Sequence, residues 1–323
     1  MVWIYFIATA AVIILAGSKL SVLAEKLAGQ LNISSSTVGL LLVSVITSLP
    51  ELATSLSAAV QIGQPGLAAG NTTGSDLFNL MIIALCDTLF RKKGILRQAR
   101  HNTSAMLRYL LMISLLLLTF TLPNQLTVAG MHFNAGSLII IALYLIFFFR
   151  TQHADTGHAD AASADRSQLT RTALQFSAAA AVIVLAGMLL ARLGDQIATQ
   201  TGLEQSFVGT LFLALATSLP ELTVSITAVR IGAYDLMVGN IIGSNMFNVF
   251  VAAISDVAYT KEAFHIPENI SSGLLYIGGC VVTMTLISLV AVRQKRKAKS
   301  FAWESIAVLI LYTTGLFAMY HAG

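Results

Sequence analysis

Charge is scarce in this chain. Asp, Glu, Lys and Arg together make up 11% of its 323 residues, where a soluble domain carries about 25%. Hydrophobic residues reach 56% and mean hydropathy is +0.79. Most of the chain is therefore solvated by lipid, and its length cannot be read as a count of soluble domains. Cysteine is limited to Cys86 and Cys280, both in apolar runs without ligand spacing, which excludes a disulfide framework and a zinc site. The six histidines fall in predicted loops or at helix ends, so no imidazole metal centre is expected. A leading basic segment is also missing. Val2 to Ala16 has no basic residue before it and runs on past Gly17 to Lys19 and Lys26. That pattern is a retained first helix, not a secretory signal. The net charge of +4 and pI near 9.1 do not indicate nucleic acid, because the basic residues sit in short loops beside apolar spans.

What is present is a series of apolar runs. A helix needs about 20 apolar residues to cross the hydrocarbon core. The pattern predicts an all-α membrane protein of ten transmembrane helices, near residues 3–25, 35–62, 67–90, 105–122, 134–150, 172–194, 204–231, 236–258, 270–292 and 302–321. The stretch from Thr151 to Gln168 is polar and aperiodic. It divides the chain into a first five-helix repeat (1–150), a short cytoplasmic linker (151–171) and a second five-helix repeat (172–323). The linker is too short to hold a folded regulatory domain. With the N-terminus outside, sixteen of the nineteen Lys and Arg fall in inside loops. The positive-inside rule then places both termini outside.

Proline is as rare as charge should be, five in all, and two of the five stand in one duplicated motif. Thr47-Ser48-Leu49-Pro50-Glu51 returns 170 positions later as Thr217-Ser218-Leu219-Pro220-Glu221. Ala10 to Gly17 returns at the same offset as Ala180 to Gly187. The segment Gly70-Asn71-Thr72-Thr73-Gly74-Ser75-Asp76-Leu77-Phe78-Asn79 returns at an offset of 169 as Gly239-Asn240-Ile241-Ile242-Gly243-Ser244-Asn245-Met246-Phe247-Asn248. Three blocks in one order mean an internal duplication. With five helices per half, the two copies insert in opposite orientations and their motifs meet near the midplane.

Each copy sets a carboxylate at membrane depth, at a cost of roughly 2.5 kcal/mol or more, which makes it a functional-site candidate. Pro50 and Pro220 each remove a backbone donor and break helices two and seven, leaving carbonyls near Ser44 to Thr47 available as ligands. Thr47 and Ser48 share a face with Glu51, and Ser75 shares one with Asn79. Gly70 with Gly74, and Gly239 with Gly243, form small-residue surfaces for close helix approach. The second copy supplies Thr217, Ser218, Glu221, Ser244 and Asn248. All these donors are hard oxygens, a set suited to calcium, sodium or protons and not to zinc or copper. One divalent or two monovalent cations neutralise the glutamate pair. Asp76, about 100° around the helix from Ser75, is a second-tier candidate, as are Asn245, Asn71 and Asn240. The last two are expected chiefly as helix-start caps. Asp87 and Asp256 lie about 12 Å along the helix from the Asn pair and are expected at helix ends or along an access path.

The paired motifs resemble the alpha repeats of the calcium/cation antiporter superfamily, and among its branches the prokaryotic sodium/calcium exchangers. The resemblance implies that Glu51 and Glu221 bind calcium and share sodium. It implies that Thr47, Ser48, Thr217, Ser218, Ser75 and Ser244 surround them as ligands, that Ser44 and Ala214 offer backbone carbonyls to sodium, and that Asn79 and Asn248 form an amide-or-acid pair. Helices one and six correspond to the mobile pair. Ile46 and Ala216 depart from the glycine usual before the motif threonine. Asn248 stands where some members have Asp, which removes one titratable group. The proton-exchanging branches carry a further glutamate in the Gly-Asn segments, and none is present.

The expected function is a secondary antiporter of a prokaryotic cell (inner) membrane, exchanging calcium for sodium by alternating access. Its partners are calcium and sodium ions and membrane lipid. No cofactor and no nucleic acid are expected, and a monomer suffices for transport. Calcium/proton exchange through the same carboxylates is the alternative. A passive cation channel fits the inverted duplication poorly, and an intramembrane hydrolase lacks a Ser-His or paired-Asp constellation.

Overall fold

A computed structural model describes residues 1–63, 65–90, 95–121, 125–128, 131–156, 166–201, 215–259, 268–293 and 303–322. In lipid every backbone polar group must be satisfied within the chain, which favours helices, and the described residues are almost entirely helical. Apart from two short turns, Ile95–Gln98 and Arg100–Asn102, the helices are in order α1 (Val2–Leu31), α2 (Ser35–Thr47), α3 (Leu49–Ile62), α4 (Pro65–Leu89), α5 (Thr103–Thr121), α6 (Ala135–Thr156), α7 (Arg166–Thr201), α8 (Leu219–Ile231), α9 (Tyr234–Ala258), α10 (Glu268–Arg293) and α11 (Trp303–Ala322). Five of these contain segments long and apolar enough to cross a bilayer. The bent pair α2–α3 makes a sixth, and the apolar parts of α6 and α11 are shorter.

Two departures from the sequence pattern have simple causes. The apolar run near 172–194 lies within a longer helix, because the polar flanks from Arg166 and to Thr201 contain no proline to end it. Likewise α6 runs six residues past Arg150 into the expected linker. Between α5 and α6 the chain forms an antiparallel hairpin, β1 (Gln125–Val128) on β2 (Met131–Asn134), with Gln125 opposite Asn134 and Val128 opposite Met131. The all-α expectation has no place for it. The segment is too short and too polar to register as a span, and four-residue strands leave almost no period-2 signal.

The helices are not equally buried. In α9, 89% of the apolar window is inside the protein, against 33% in α1 and 39% in α7. α9 is therefore the central element, packed on α2, α4, α5, α6 and α8, while α1 and α7 pair with one another on the outside and lean on α8 and α3. The contact of α9 with α2 is close because it is made through glycine. A Cβ at Gly239 would lie 2.7 Å from the Ser36 carbonyl, and one at Gly243 would lie 2.6 Å from that of Leu40. Gly70 and Gly74 of α4 show no such neighbour among the described residues. Gly209, the duplicate of Gly39 in the sequence, lies outside those residues.

Candidate functional site

The site begins at the two prolines. α2 ends at Thr47, Ser48 takes φ −94° and ψ 8°, and α3 restarts at Leu49 with Pro50 in its first turn, where a missing N–H costs nothing. The two segments meet at a bend of 42°. The second copy repeats the conformation: Ser218 has φ −88° and ψ 9°, and α8 starts at Leu219 with Pro220 in its first turn. Glu51 and Glu221 thus each fall in the first turn of a helix, where the aligned backbone dipoles favour negative charge.

The glutamates are 1% and 0% exposed. They are bridged crosswise: Ser48 Oγ donates to Glu221 Oε1 at 2.9 Å, and Ser218 Oγ donates to Glu51 Oε1 at 3.3 Å. Each half of the chain therefore holds the other half's carboxylate. Around Glu221, Ser244 Oγ donates to Oε1 at 3.4 Å and lies 3.4 Å from Thr47 Oγ1. The Ser44 carbonyl accepts the helical N–H of Ser48 at 3.0 Å, the Thr47 hydroxyl at 3.2 Å and the Ser244 hydroxyl at 3.5 Å. Ser44 is thus at the centre of an oxygen cluster, although its carbonyl is not left vacant by the break. Its counterpart Ala214 lies outside the described residues. Thr217 and Ser218 are fully buried beside Glu51.

Five buried oxygens of this group have no hydrogen-bond partner among the described residues: Glu51 Oε2, Glu221 Oε2, Ser75 Oγ, Asn79 Oδ1 and Asn248 Oδ1. Leaving a buried acceptor unmade costs about 1–3 kcal/mol, more when it is charged. Among the described residues the one ion pair is His101–Asp235, so no described Lys or Arg neutralises the glutamates. A set of unpartnered oxygens around two uncompensated carboxylates is suited to hard cations.

The second-tier residues divide. Asp76 does not turn to the glutamates. Its Oδ2 accepts from the Tyr109 hydroxyl at 2.7 Å and its Oδ1 from Asn248 Nδ2 at 3.0 Å. Asn245 donates Nδ2 to the Asp76 carbonyl at 3.3 Å and accepts from Asn79 Nδ2 at 3.0 Å. Asn71 and Asn240 are not helix-start caps: both lie at the seventh position of their helices. There Asn71 donates to Ser55 Oγ at 2.9 Å, and Asn240 Oδ1 accepts from Thr47 at 3.4 Å. The expected spans, from 67 and 236, already enclose both residues, and the helices begin two residues earlier still, at Pro65 and Tyr234. Tyr109 escaped the sequence reading. A single tyrosine in an apolar helix carries no signal of what its hydroxyl meets.

Asp87 and Asp256 sit near helix ends, and each binds the opposite half. Asp256 of α9 accepts from the Asn134 N–H at 2.9 Å, from Asn134 Nδ2 at 3.2 Å and from the Ser137 hydroxyl, at the start of α6. Asp87 of α4 accepts from the Ser305 hydroxyl at 2.7 Å, at the start of α11.

Comparison with known proteins is decided by coverage. The family profile described as "Sodium/calcium exchanger protein" matches residues 1–151 and 172–320, nearly the whole chain. This chain belongs to the sodium/calcium exchanger family. Relatives include the "Putative antiporter CaxA" of Alkalimonas amylolytica, 27% identical over 70% of each chain. Another is the "Sodium/calcium exchanger MaX1" of Methanosarcina acetivorans, 23% identical over 92% of each. The solved structure of the sodium-calcium exchanger NCX_Mj soaked with 10 mM Na+ and zero Ca2+ superposes with a TM-score of 0.74. It is 20% identical and covers 97% of this chain and 98% of that one, a likeness that establishes the fold. The exchanger is an integral membrane protein and a cation antiporter, a transporter and not an enzyme.

Proposed function

We propose that this exchanger moves calcium outward against inward sodium through one composite site centred on Glu51 and Glu221. The observation that carries the reading is the crosswise Ser–Glu bridging, which leaves one oxygen of each carboxylate without a partner among the described residues. One calcium ion, or two sodium ions, balances the two formal charges and supplies the missing partners. Because the same oxygens serve both, occupancy is exclusive, and exclusive occupancy is what couples the two fluxes. An empty site with two ionised carboxylates in low dielectric is costly, which discourages crossing without cargo. In this reading Thr47, Ser48, Thr217, Ser218, Ser75, Ser244, Asn79 and Asn248 complete the ligand set, with the Ser44 and Ala214 carbonyls on the sodium side.

The architecture that suits this is ten spans in two inverted five-helix repeats, 1–150 and 172–323, joined by the linker 151–171, with helices two and seven broken and both termini outside a prokaryotic cell membrane. α1 and α7, which pair with one another on the outside of the bundle, are the pair that moves. Their seats differ: a Cβ on Gly187 of α7 would strike Pro50 Cγ at 2.5 Å, while one on Gly17 of α1 would meet Thr223, a turn beyond Pro220, at 3.0 Å. Two inequivalent seats for equivalent helices are what one end state of a sliding pair requires. A monomer contains the whole site.

Protons balance the same charges, so calcium/proton exchange is the rival reading. Reconstituted vesicles decide between them. A sodium gradient should drive calcium uptake, and Glu51→Gln or Glu221→Gln should abolish it. Calcium uptake driven by a pH gradient without sodium would favour the rival, and unchanged uptake in the glutamine variants would refute both.

A further inference from the structure

Behind the site lies a carboxylate that the ligand set does not use. Asp76 is 1% exposed, and its hydrogen-bond partner Tyr109 is 0% exposed. Asp76 is also the residue from which two chains of amide contacts depart. Its main-chain carbonyl takes Nδ2 of Asn245. An amide whose nitrogen is held by a carbonyl must present its oxygen elsewhere, and Asn245 Oδ1 accepts Nδ2 of Asn79. Asn79 is thereby tied by its nitrogen, and its Oδ1 is left over. Along the other chain, the Asp76 carboxylate takes Nδ2 of Asn248, and again the Oδ1 is left over. Both remaining oxygens are buried and without partners among the described residues. Asn79 follows Ser75, and Asn248 follows Ser244, by one helical turn, so each amide shares a face with a hydroxyl of the site.

An asparagine offers a cation an oxygen or an NH2 group, and the two nearly isosteric orientations differ only in what lies behind them. A main-chain carbonyl is an acceptor only, and both carboxyl oxygens of Asp76 act here as acceptors, Oδ2 from Tyr109 and Oδ1 from Asn248. They exclude the orientation in which an NH2 group would face the ion. We propose that Asp76 is a positioning residue that fixes the Asn79 and Asn248 amides oxygen-first toward the transported cation, with Tyr109 holding the carboxylate in place. This rests on the site reading above. It also separates the roles of two positions: the carboxyl group at 76 orients, while the amide at 248 binds.

The test uses the purified exchanger in proteoliposomes, measuring sodium-driven uptake of radioactive calcium at graded calcium concentration. In Asp76→Asn the new NH2 group can face Asn248 and turn its amide around. The calcium KM should then rise about 10–100-fold, the usual effect of losing a partner that orients a ligand, with maximal rate and melting temperature changed far less. The exchange Asp76→Asn with Asn248→Asp restores an acceptor–donor pair with an oxygen facing the ion, and KM should return toward the wild-type value. A purely structural role for Asp76 gives no reason for that rescue. Tyr109→Phe, which keeps the ring, should raise KM more modestly and carries the test if Asp76→Asn does not fold. An unchanged KM in Asp76→Asn or, if that variant does not fold, in Tyr109→Phe overturns the proposal. So does a double variant no better than the single one. If Glu51→Gln abolishes uptake in the same vesicles while these variants are normal, the positioning role falls and the site reading stands. If Glu51→Gln transports normally, both fall.

Discussion

Gly243→Ala should weaken ion binding more than its single methyl group suggests. Gly243 lies where α9 crosses α2. The added Cβ would sit 2.6 Å from both the Leu40 carbonyl oxygen and Ser44 Oγ, and 2.7 Å from Ser44 Cβ. One of these neighbours is backbone, so no side-chain rotation clears it. Ordinary contact begins at 3.4 Å, and the helices must part by about 0.8 Å, an overpacking that costs about 1–3 kcal/mol. The next residue, Ser244, reaches the Ser44 carbonyl at 3.5 Å and Glu221 at 3.4 Å. Both distances are already long for hydrogen bonds, and the separation would carry Ser244 out of reach of Ser44. If the whole cost appears in binding, it corresponds to about a 5–150-fold rise in the calcium KM. The assay is sodium-driven calcium uptake in proteoliposomes at graded calcium, alongside thermal unfolding in detergent. Gly279→Ala is the control, since Gly279 lies on the exposed face of α10 with no neighbour within 4 Å among the described residues. A Gly243→Ala protein with wild-type KM, or a Gly279→Ala protein equally impaired, would refute the argument that this crossing sets the site's geometry.

Two further outcomes are expected. Asp256→Ala strips the acceptor from Asn134 and Ser137 at the start of α6. A hydrogen bond contributes about 0.5–1.5 kcal/mol, and each buried donor left unmade costs about 1–3 kcal/mol, so the melting temperature should fall clearly. The calcium KM should change little, because Asp256 is about 12 Å along α9 from Asn248; an unaltered melting curve counts against the clasp. Orientation can be read by thiol labelling, since Cys86 and Cys280 are both buried and give little background. Gly29→Cys and His101→Cys, at exposed positions, should react with an impermeant maleimide in inverted vesicles. Reaction in right-side-out cells would reverse the assigned topology.

Much of this protein is written in local sequence. Apolar run lengths mark the helices, because a bilayer leaves the backbone few other ways to satisfy its polar groups. Pro50 and Pro220 mark the two chain breaks, because a missing N–H acts on its own turn wherever the rest of the fold lies. The helical period of 3.6 places Ser75 on one face with Asn79, but the break at Ser48 separates Thr47 and Ser48 from the helix of Glu51 and hands Ser48 to Glu221. Partners are another matter. That Ser48 holds Glu221 and Ser218 holds Glu51, that Asp76 turns to Tyr109 and Asn248, and that Asp87 and Asp256 reach across to the other half all depend on how distant helices pack. Periodicity names the face of a helix and is silent on what meets it. Residues 125–134 show the same limit from the other side, since a four-residue strand has too short a pattern to announce itself and forms only when a neighbour pairs with it. The sequence by itself determined which residues could build a cation site; the tertiary structure alone decided which oxygens are left without partners to do so, because hydrogen bonding between segments more than 160 residues apart is settled by packing and not by any local rule.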